Sequence, residues 1–162
     1  MKMLRRVAVS LAVLLSLTAC AASTVKQNPA ADFAFIHKAF DLRYAWNTRQ
    51  TDQGVRIDGL IKNLRPPRVE NVEIRVRLVN QAHKRSSEGV AFPIPQPIDE
   101  NDYRSFELRL PHAELAAGDQ LQFITSYDVA AGQGSFSWIS NFTVDAVTGA
   151  VVGARKDLSD EW

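Results

Sequence analysis

The chain has 162 residues and a formal net charge of +1, so its length suits one domain and its charge gives no support to nucleic-acid binding. It contains one cysteine, Cys20, which excludes a disulfide within the chain. Any folded domain must therefore be held together by its apolar core alone.

The N-terminus has the charge and hydropathy order of an export signal. The basic residues Lys2, Arg5 and Arg6 precede the apolar run 7–17. This run is shorter than the roughly 20 apolar residues that a membrane-spanning helix requires. We therefore predict a signal peptide over residues 1–19. Its removal takes away three positive charges and leaves a mature chain with a net charge of about −2.

The apolar run ends in Leu17-Thr18-Ala19-Cys20, which resembles the lipobox of bacterial lipoproteins. The resemblance implies cleavage before Cys20, followed by attachment of diacylglycerol and a fatty acid to that residue. Several acyl chains anchor a protein firmly, whereas one chain gives only marginal binding. Ala21 stands where an Asp would signal inner-membrane retention, so we expect the outer membrane, facing the periplasm. The alternative is an ordinary secreted protein with a free thiol.

Three further segments show no regular repeat of apolar residues. Residues 20–31 are small and polar and predict a flexible tether. The beginning of the predicted domain, 32–40, fits either a short helix or an irregular lead-in. Residues 147–162 finish acidic and predict a loosely ordered tail, although Val151 and Val152 could extend the last strand. The predicted domain thus covers 32–146.

Inside this domain, apolar residues recur at every second position, the period of a strand with one buried face. We predict strands at 40–47, 55–62, 72–78, 105–110, 121–128 and 135–144, and a weaker seventh at 87–94. Turn residues separate them, as between strands of a sandwich or barrel. We predict an all-β fold, an immunoglobulin-like antiparallel β-sandwich of about seven strands, with a small barrel as the alternative.

Four pieces of this pattern resemble the FxLYD-type and related immunoglobulin-like domains of bacterial envelope proteins. They are VRIDGLIKN from Val55, VENVEIRVRLVNQAHK from Val69, FELRLP from Phe106 and LAAGDQLQFITSY from Leu115. The resemblance covers about 40–144, although no literal Phe-x-Leu-Tyr-Asp string occurs. It implies the fold and brings no catalytic residues, because function depends on the site and not on the fold.

The charged side chains suggest one candidate surface. Glu73, Arg75 and Arg77 project from the polar face of one strand, and Arg56 and Lys62 are expected on a neighbouring strand. These five residues form a predicted partner-binding face for an acidic partner or a polyanionic envelope surface. The alternative is a solvated face that keeps the sheet soluble. Trp46 and Trp138 stand at alternate positions on the apolar, inward face of their predicted strands (inward parity), and we expect both in the core.

No catalytic or metal-binding motif is apparent. The histidines His37, His83 and His112 lack metal-ligand spacing and are expected in solvated loops. The acidic run 99–102 lacks the glycine and distal glutamate of a calcium loop, so it predicts a solvated turn. No Gly-x-Ser-x-Gly elbow occurs. We therefore predict neither a cofactor nor a metal site, and no enzymatic activity.

Two functions remain compatible with the sequence. The first is a non-enzymatic binding or assembly module, anchored in the membrane through lipid on Cys20, that presents loops and a sheet edge to an envelope protein partner. The alternative is an envelope enzyme or a carbohydrate-binding accessory domain with a loop-built site. In that case Glu88, Asp99 and Glu114 are candidate acids, because such groups need only spatial proximity.

Overall fold

The computed structural model describes residues 28–82, 84–132 and 134–153. The predicted signal peptide, Cys20, His83 and the end of the predicted tail lie outside these ranges. The described residues form eight β-strands and no helix. The strands are β1 (Phe35–Lys38), β2 (Leu42–Thr51), β3 (Gly54–Asn63), β4 (Val69–Val79), β5 (Arg85–Ala91), β6 (Tyr103–Pro111), β7 (Gln120–Ala131) and β8 (Gly134–Asp145).

The strands form two four-stranded sheets. Sheet A has the order β1-β2-β3-β6 and sheet B the order β5-β4-β7-β8, and every pair is antiparallel. Counted from β2, the first, second and fifth strands share one sheet, and the other four share the second sheet. This is the strand distribution of an immunoglobulin-like sandwich. The predicted fold is therefore confirmed.

An aromatic cluster fills the centre between the sheets. Alternation turns Tyr44 and Trp46 of sheet A towards Phe123 and Phe142 of sheet B, and all four are buried. The Phe123 and Phe142 rings stack with centroids 4.7 Å apart, and the Trp46 ring lies 5.0 Å from that of Phe123. Burial of each such side chain stabilises the fold by about 1.5–3 kcal/mol, so this cluster is the main link between the sheets.

A buried asparagine organises the loops at one end of the sandwich. Asn63, the last residue of β3, donates from Nδ2 to the carbonyl oxygens of Pro67 (2.9 Å) and Ile98 (3.2 Å). Its Oδ1 accepts the backbone N–H of Arg65 at 3.0 Å. The side chain thus satisfies three backbone groups of two loops, which fixes the loop 64–68 relative to the connection between β5 and β6.

The segment before β2 differs from both sequence-based options, since it contains the strand β1 instead of a helix or an irregular lead-in. The Asn47 side chain holds the preceding chain on the outer face of sheet A, where it accepts from Ala34 N–H (2.8 Å) and donates to Asp32 O (3.3 Å). Ala30, in the predicted tether, is buried.

Two details at the strand ends depart from the predictions. Phe40 does not share the buried face of β2, because that strand begins at Leu42 and Phe40 lies in the turn before it, 77% exposed. Val151 does not prolong β8, which ends at Asp145. The chain instead turns back, and Val151 pairs antiparallel with Val144.

Candidate functional site

The five residues of the predicted partner-binding face do not lie on one surface. Arg56 and Lys62 belong to β3 of sheet A, whereas Glu73, Arg75 and Arg77 belong to β4 of sheet B. Both sets point outwards, as their alternation with buried neighbours requires. The prediction of a shared face was wrong because the chain crosses from one sheet to the other between β3 and β4.

The three residues on β4 form an ion-pair network with β5. Arg77 Nε donates to Glu88 Oε2 at 2.6 Å, and an Arg75 guanidinium nitrogen donates to Glu88 Oε1 at 3.2 Å. Arg85 reaches the same carboxylate at 3.1 Å, and Arg75 also pairs with Glu73 at 2.7 Å. The hydrogen bond from Arg77, aided by the nearby positive charges, lowers the pKa of Glu88. The two carboxylates of the network therefore neutralise most of the positive charge of its three arginines.

Of the acids proposed for a loop-built catalytic site, Glu88 is engaged in ion pairs with three arginines. A general acid requires a raised pKa, whereas the pKa of Glu88 is lowered. In the acidic turn 99–102, Asp102 pairs with Arg104 at 2.6 Å and its N–H bonds to the Asp99 carbonyl. Across the described ranges, no group of three or more His, Cys, Asp or Glu side chains is arranged to hold a metal ion.

Two of the histidines are described. His37 is not in a solvated loop, because it lies in β1 and its ring centroid is 4.1 Å from that of Phe142. His112 is exposed and follows β6, as predicted for a loop histidine.

The edge strands of the two sheets meet differently on the two long sides of the sandwich. On one side, which we call the closed side, β5 and β6 approach each other through their backbones. Ser87 Oγ donates to the Pro111 carbonyl at 2.9 Å, and a side chain at Gly89 would collide with the Arg109 carbonyl oxygen. On the other side, which we call the open side, β1 has four residues and faces β8, which has twelve.

Part of β8 lies beyond the end of sheet A, beside the β1–β2 turn and the loop 64–68, and is uncovered. Phe136 and Trp138 have the inward parity that alternation predicts, since they pair with Val129 and the buried Tyr127. They are nevertheless 64% and 54% exposed, and the adjacent Ile139 is 68% exposed. Trp138 is thus not in the core, contrary to the sequence prediction, because no strand of sheet A extends over it.

Next to these side chains is an apolar cleft of about 270 Å³. Trp138 and Phe40 line it, together with Pro66, Pro67, Val69 and Val129. The Arg65 guanidinium carbon lies 4.2 Å above the centre of the Phe40 ring, a cation–π arrangement at the rim. The open side therefore combines exposed aromatic side chains, an apolar depression and one basic group.

The polar residues beside the cleft are fixed by hydrogen bonds. Tyr127 donates from its hydroxyl to Asp41 Oδ2 at 2.7 Å, and Asp41 also faces Arg65 at 3.7 Å. Burial, with a smaller contribution from this hydrogen bond, raises the pKa of Tyr127. The tyrosine therefore remains a neutral donor, and it ties the β1–β2 turn to sheet B across the open side.

A second cleft, of about 370 Å³, lies on the opposite side of sheet A from the core, near β6. Its lining mixes Phe33, Leu60 and Phe92 with the carboxylates of Asp58 and Glu107. Each carboxylate already faces an arginine, Arg49 at 3.6 Å and Arg56 at 2.7 Å, respectively. These acids are engaged in ion pairs and provide no evident acid–base pair.

Neither the family models nor the curated proteins that were compared include a match to this chain. Among solved structures, the yeast GGA1 GAE domain is similar over 67% of this chain and 97% of its own, with 11% identity and a TM-score of 0.37. The GAE domain of GGA2p from Saccharomyces cerevisiae is similar over 69% and 96%, with 11% identity and a TM-score of 0.34. In the described part of the chain, no helix has the length and apolarity required to cross a bilayer.

Proposed function

We propose that this chain is a lipid-anchored, non-enzymatic binding module of the bacterial cell envelope that binds an extended segment of a partner protein along β8. The observation that carries this proposal is the exposed pair Phe136 and Trp138 on one face of the edge strand β8, beside an apolar cleft, with the exposed Ile139 on the other face of the strand. Contiguous exposed apolar surface is typical of interaction sites, and aromatic residues dominate their energetics.

The edge of β8 supplies the second component of recognition. It is the last strand of sheet B, and residues 150–152 bond to its edge at 143–145, so the row of backbone N–H and C=O groups before residue 143 is the part that a partner could pair with. A partner strand can pair with such a row, while alternate side chains provide specificity. Trp138 and the cleft would then receive apolar side chains of the partner.

Anchoring follows from the lipobox resemblance at Cys20. A lipid there and the tether 20–31 would hold the sandwich close to the membrane, and Ala21 favours the periplasmic face of the outer membrane. The test is Cys20→Ser, with fractionation of the envelope and labelling by a palmitate analogue. We expect loss of the label and release from the membrane fraction, and unchanged fractionation would contradict the anchor.

Site-specific photo-crosslinking in intact envelopes tests the partner site. Ile139 on β8 and Val90 on β5 form a matched pair, because both are exposed aliphatic residues on edge strands. We expect a crosslinker at position 139 to give a defined protein adduct that Trp138→Ala abolishes, whereas position 90 gives none. Equal labelling at the two positions, or no adduct where known envelope complexes are captured, would rule out β8 as the binding edge.

A further inference from the structure

Three cationic residues lie in one row across the outer face of sheet A. Lys38 of β1 is opposite Arg43 of β2, and Arg43 is opposite Lys62 of β3. Directly opposed residues of antiparallel strands share a face with Cβ atoms about 4.5–5.5 Å apart, and like charges in this position repel. The row therefore concentrates positive charge at one place on the surface.

In the part of the chain that the structure describes, the central cation of the row has no carboxylate within ion-pair distance. Arg43 is 7% exposed, and its Nε has no hydrogen-bond partner. Among the described residues, neither Arg43 nor Lys38 forms an ion pair with a carboxylate. Burial of a charged group is costly unless the charge is paired and hydrogen-bonded, so an unpaired buried guanidinium indicates a missing anion.

The same face is built differently at its other end. Arg49 and Arg56 also project outwards from β2 and β3, but each has a carboxylate within reach, Asp58 at 3.6 Å and Glu107 at 2.7 Å. Within the described ranges, the missing ion pair at Arg43 is therefore a local feature and not a general property of sheet A.

We propose that Lys38, Arg43 and Lys62 form a binding site for a phosphate group. A guanidinium presents a planar fork of donors that matches phosphate oxygens, and the two ammonium groups add charge without a fixed direction. Tyr103, in register with Lys62 on β6 and partly exposed, adds a hydroxyl donor at the same end of the face. The phosphate could belong to a lipid headgroup or to a soluble phosphate ester, since both present the same oxygens.

Thermal unfolding with inorganic phosphate tests the site directly. The protein is the full chain carrying Cys20→Ser, so that an acyl chain cannot contribute, and potassium chloride of equal ionic strength is the reference. A ligand that binds only the folded state raises the unfolding temperature. We expect phosphate to do so beyond chloride, and Arg43→Gln or Lys38→Gln to weaken the apparent affinity by about tenfold, as for loss of one charge-assisted contact.

Arg49→Gln is the matched control, because it removes one positive charge from the same face of the same strand. This variant should keep the response to phosphate. An equal response in all variants would identify a general salt effect, and no response in the protein that retains all three cations would show that no site exists; either result overturns the proposal. Lys38→Gln keeps the test valid if Arg43→Gln fails to fold.

Vesicles distinguish the two sources of phosphate. Binding to phosphatidylglycerol vesicles but not to phosphatidylcholine vesicles, lost in Arg43→Gln and retained in Arg49→Gln, would identify a lipid headgroup. A phosphate response without such vesicle binding would identify a soluble phosphate ester. Both results support the site, and neither depends on the partner proposed for β8.

Discussion

The closed and open sides of the sandwich solve the problem of exposed strand edges in opposite ways. On the closed side, β5 and β6 lie so near each other that Gly89 has no room for a side chain, and Ser87 bonds across the junction. On the open side, β8 continues past the turn between β1 and β2, and its aromatic side chains remain in solvent. Edge strands are normally protected from pairing. The closed side is thus protected from pairing, and the exposed edge on the open side is the basis of the binding proposed for it.

Among the substitutions on the two sides of the sandwich, the largest expected effect is that of Gly89→Ala on the closed side. The added Cβ would collide with the backbone carbonyl of Arg109, which cannot move aside as a flexible side chain can. We expect a loss of about 2–3 kcal/mol in the free energy of unfolding, measured by urea denaturation. Gly134→Ala is the control, because nothing lies within 4 Å of the position that its added Cβ would take, and this variant should change stability little. Similar losses in both variants would show that β5 and β6 are not in close contact.

Ser87→Ala should weaken the closed side less. It removes the hydrogen bond from Ser87 Oγ to the Pro111 carbonyl, which joins β5 to β6. The expected loss is about 1 kcal/mol in the same denaturation experiment. Ser135→Ala on the exposed part of β8 provides the reference and should be nearly neutral. If Ser87→Ala loses as little stability as Ser135→Ala, the contact between β5 and β6 depends on the close approach of their backbones alone.

Trp138→Ala should separate binding from stability on the open side. Since the side chain is half exposed, its removal is expected to cost less than about 1 kcal/mol, whereas Trp46→Ala in the core should cost about 3–5 kcal/mol. The same Trp138 variant should lose the adduct at position 139. A large loss of stability in Trp138→Ala would mean that this tryptophan is part of the core after all.

The smallest effect concerns a carboxylate on the outer surface of sheet B, near the open side. Ser137 Oγ (2.6 Å) and Asn71 Nδ2 (2.8 Å) both donate to Asp128, and these hydrogen bonds lower its pKa. Because the folded-state pKa is the lower one, the stabilisation is present above the usual aspartate value near 4 and is lost as the pH falls through the folded-state value.

Ser137→Ala should therefore raise the pKa of Asp128 towards its usual value, as followed by NMR titration of the carboxyl group. The stability of this variant should also depend less on pH in the acidic range. An unchanged pKa in Ser137→Ala would show that Asn71 alone controls this carboxylate. Ser135→Ala, on the same strand, provides the comparison.

The prediction of strands succeeded where one face of each strand is buried. In β4, Val72, Ile74 and Val76 alternate with charged residues. This alternation arises because one face of the strand is buried and the other is in solvent. β1 was missed because it has four residues, all only partly buried, which is too short for a period to emerge. The site on the open side was also invisible, because the exposure of Trp138 depends on where sheet A ends relative to β8, beside the turn between β1 and β2.

The sequence by itself determined the all-β class, the parity of each side chain and the predicted address at Cys20, because these depend on local period and on short motifs. Only the tertiary structure decided which strands share a sheet. It separated Arg56 and Lys62 from Arg75 and Arg77, and it placed Lys38, Arg43 and Lys62 in one row. Parity is a property of each strand, whereas neighbours across a sheet come from pairings between distant parts of the chain.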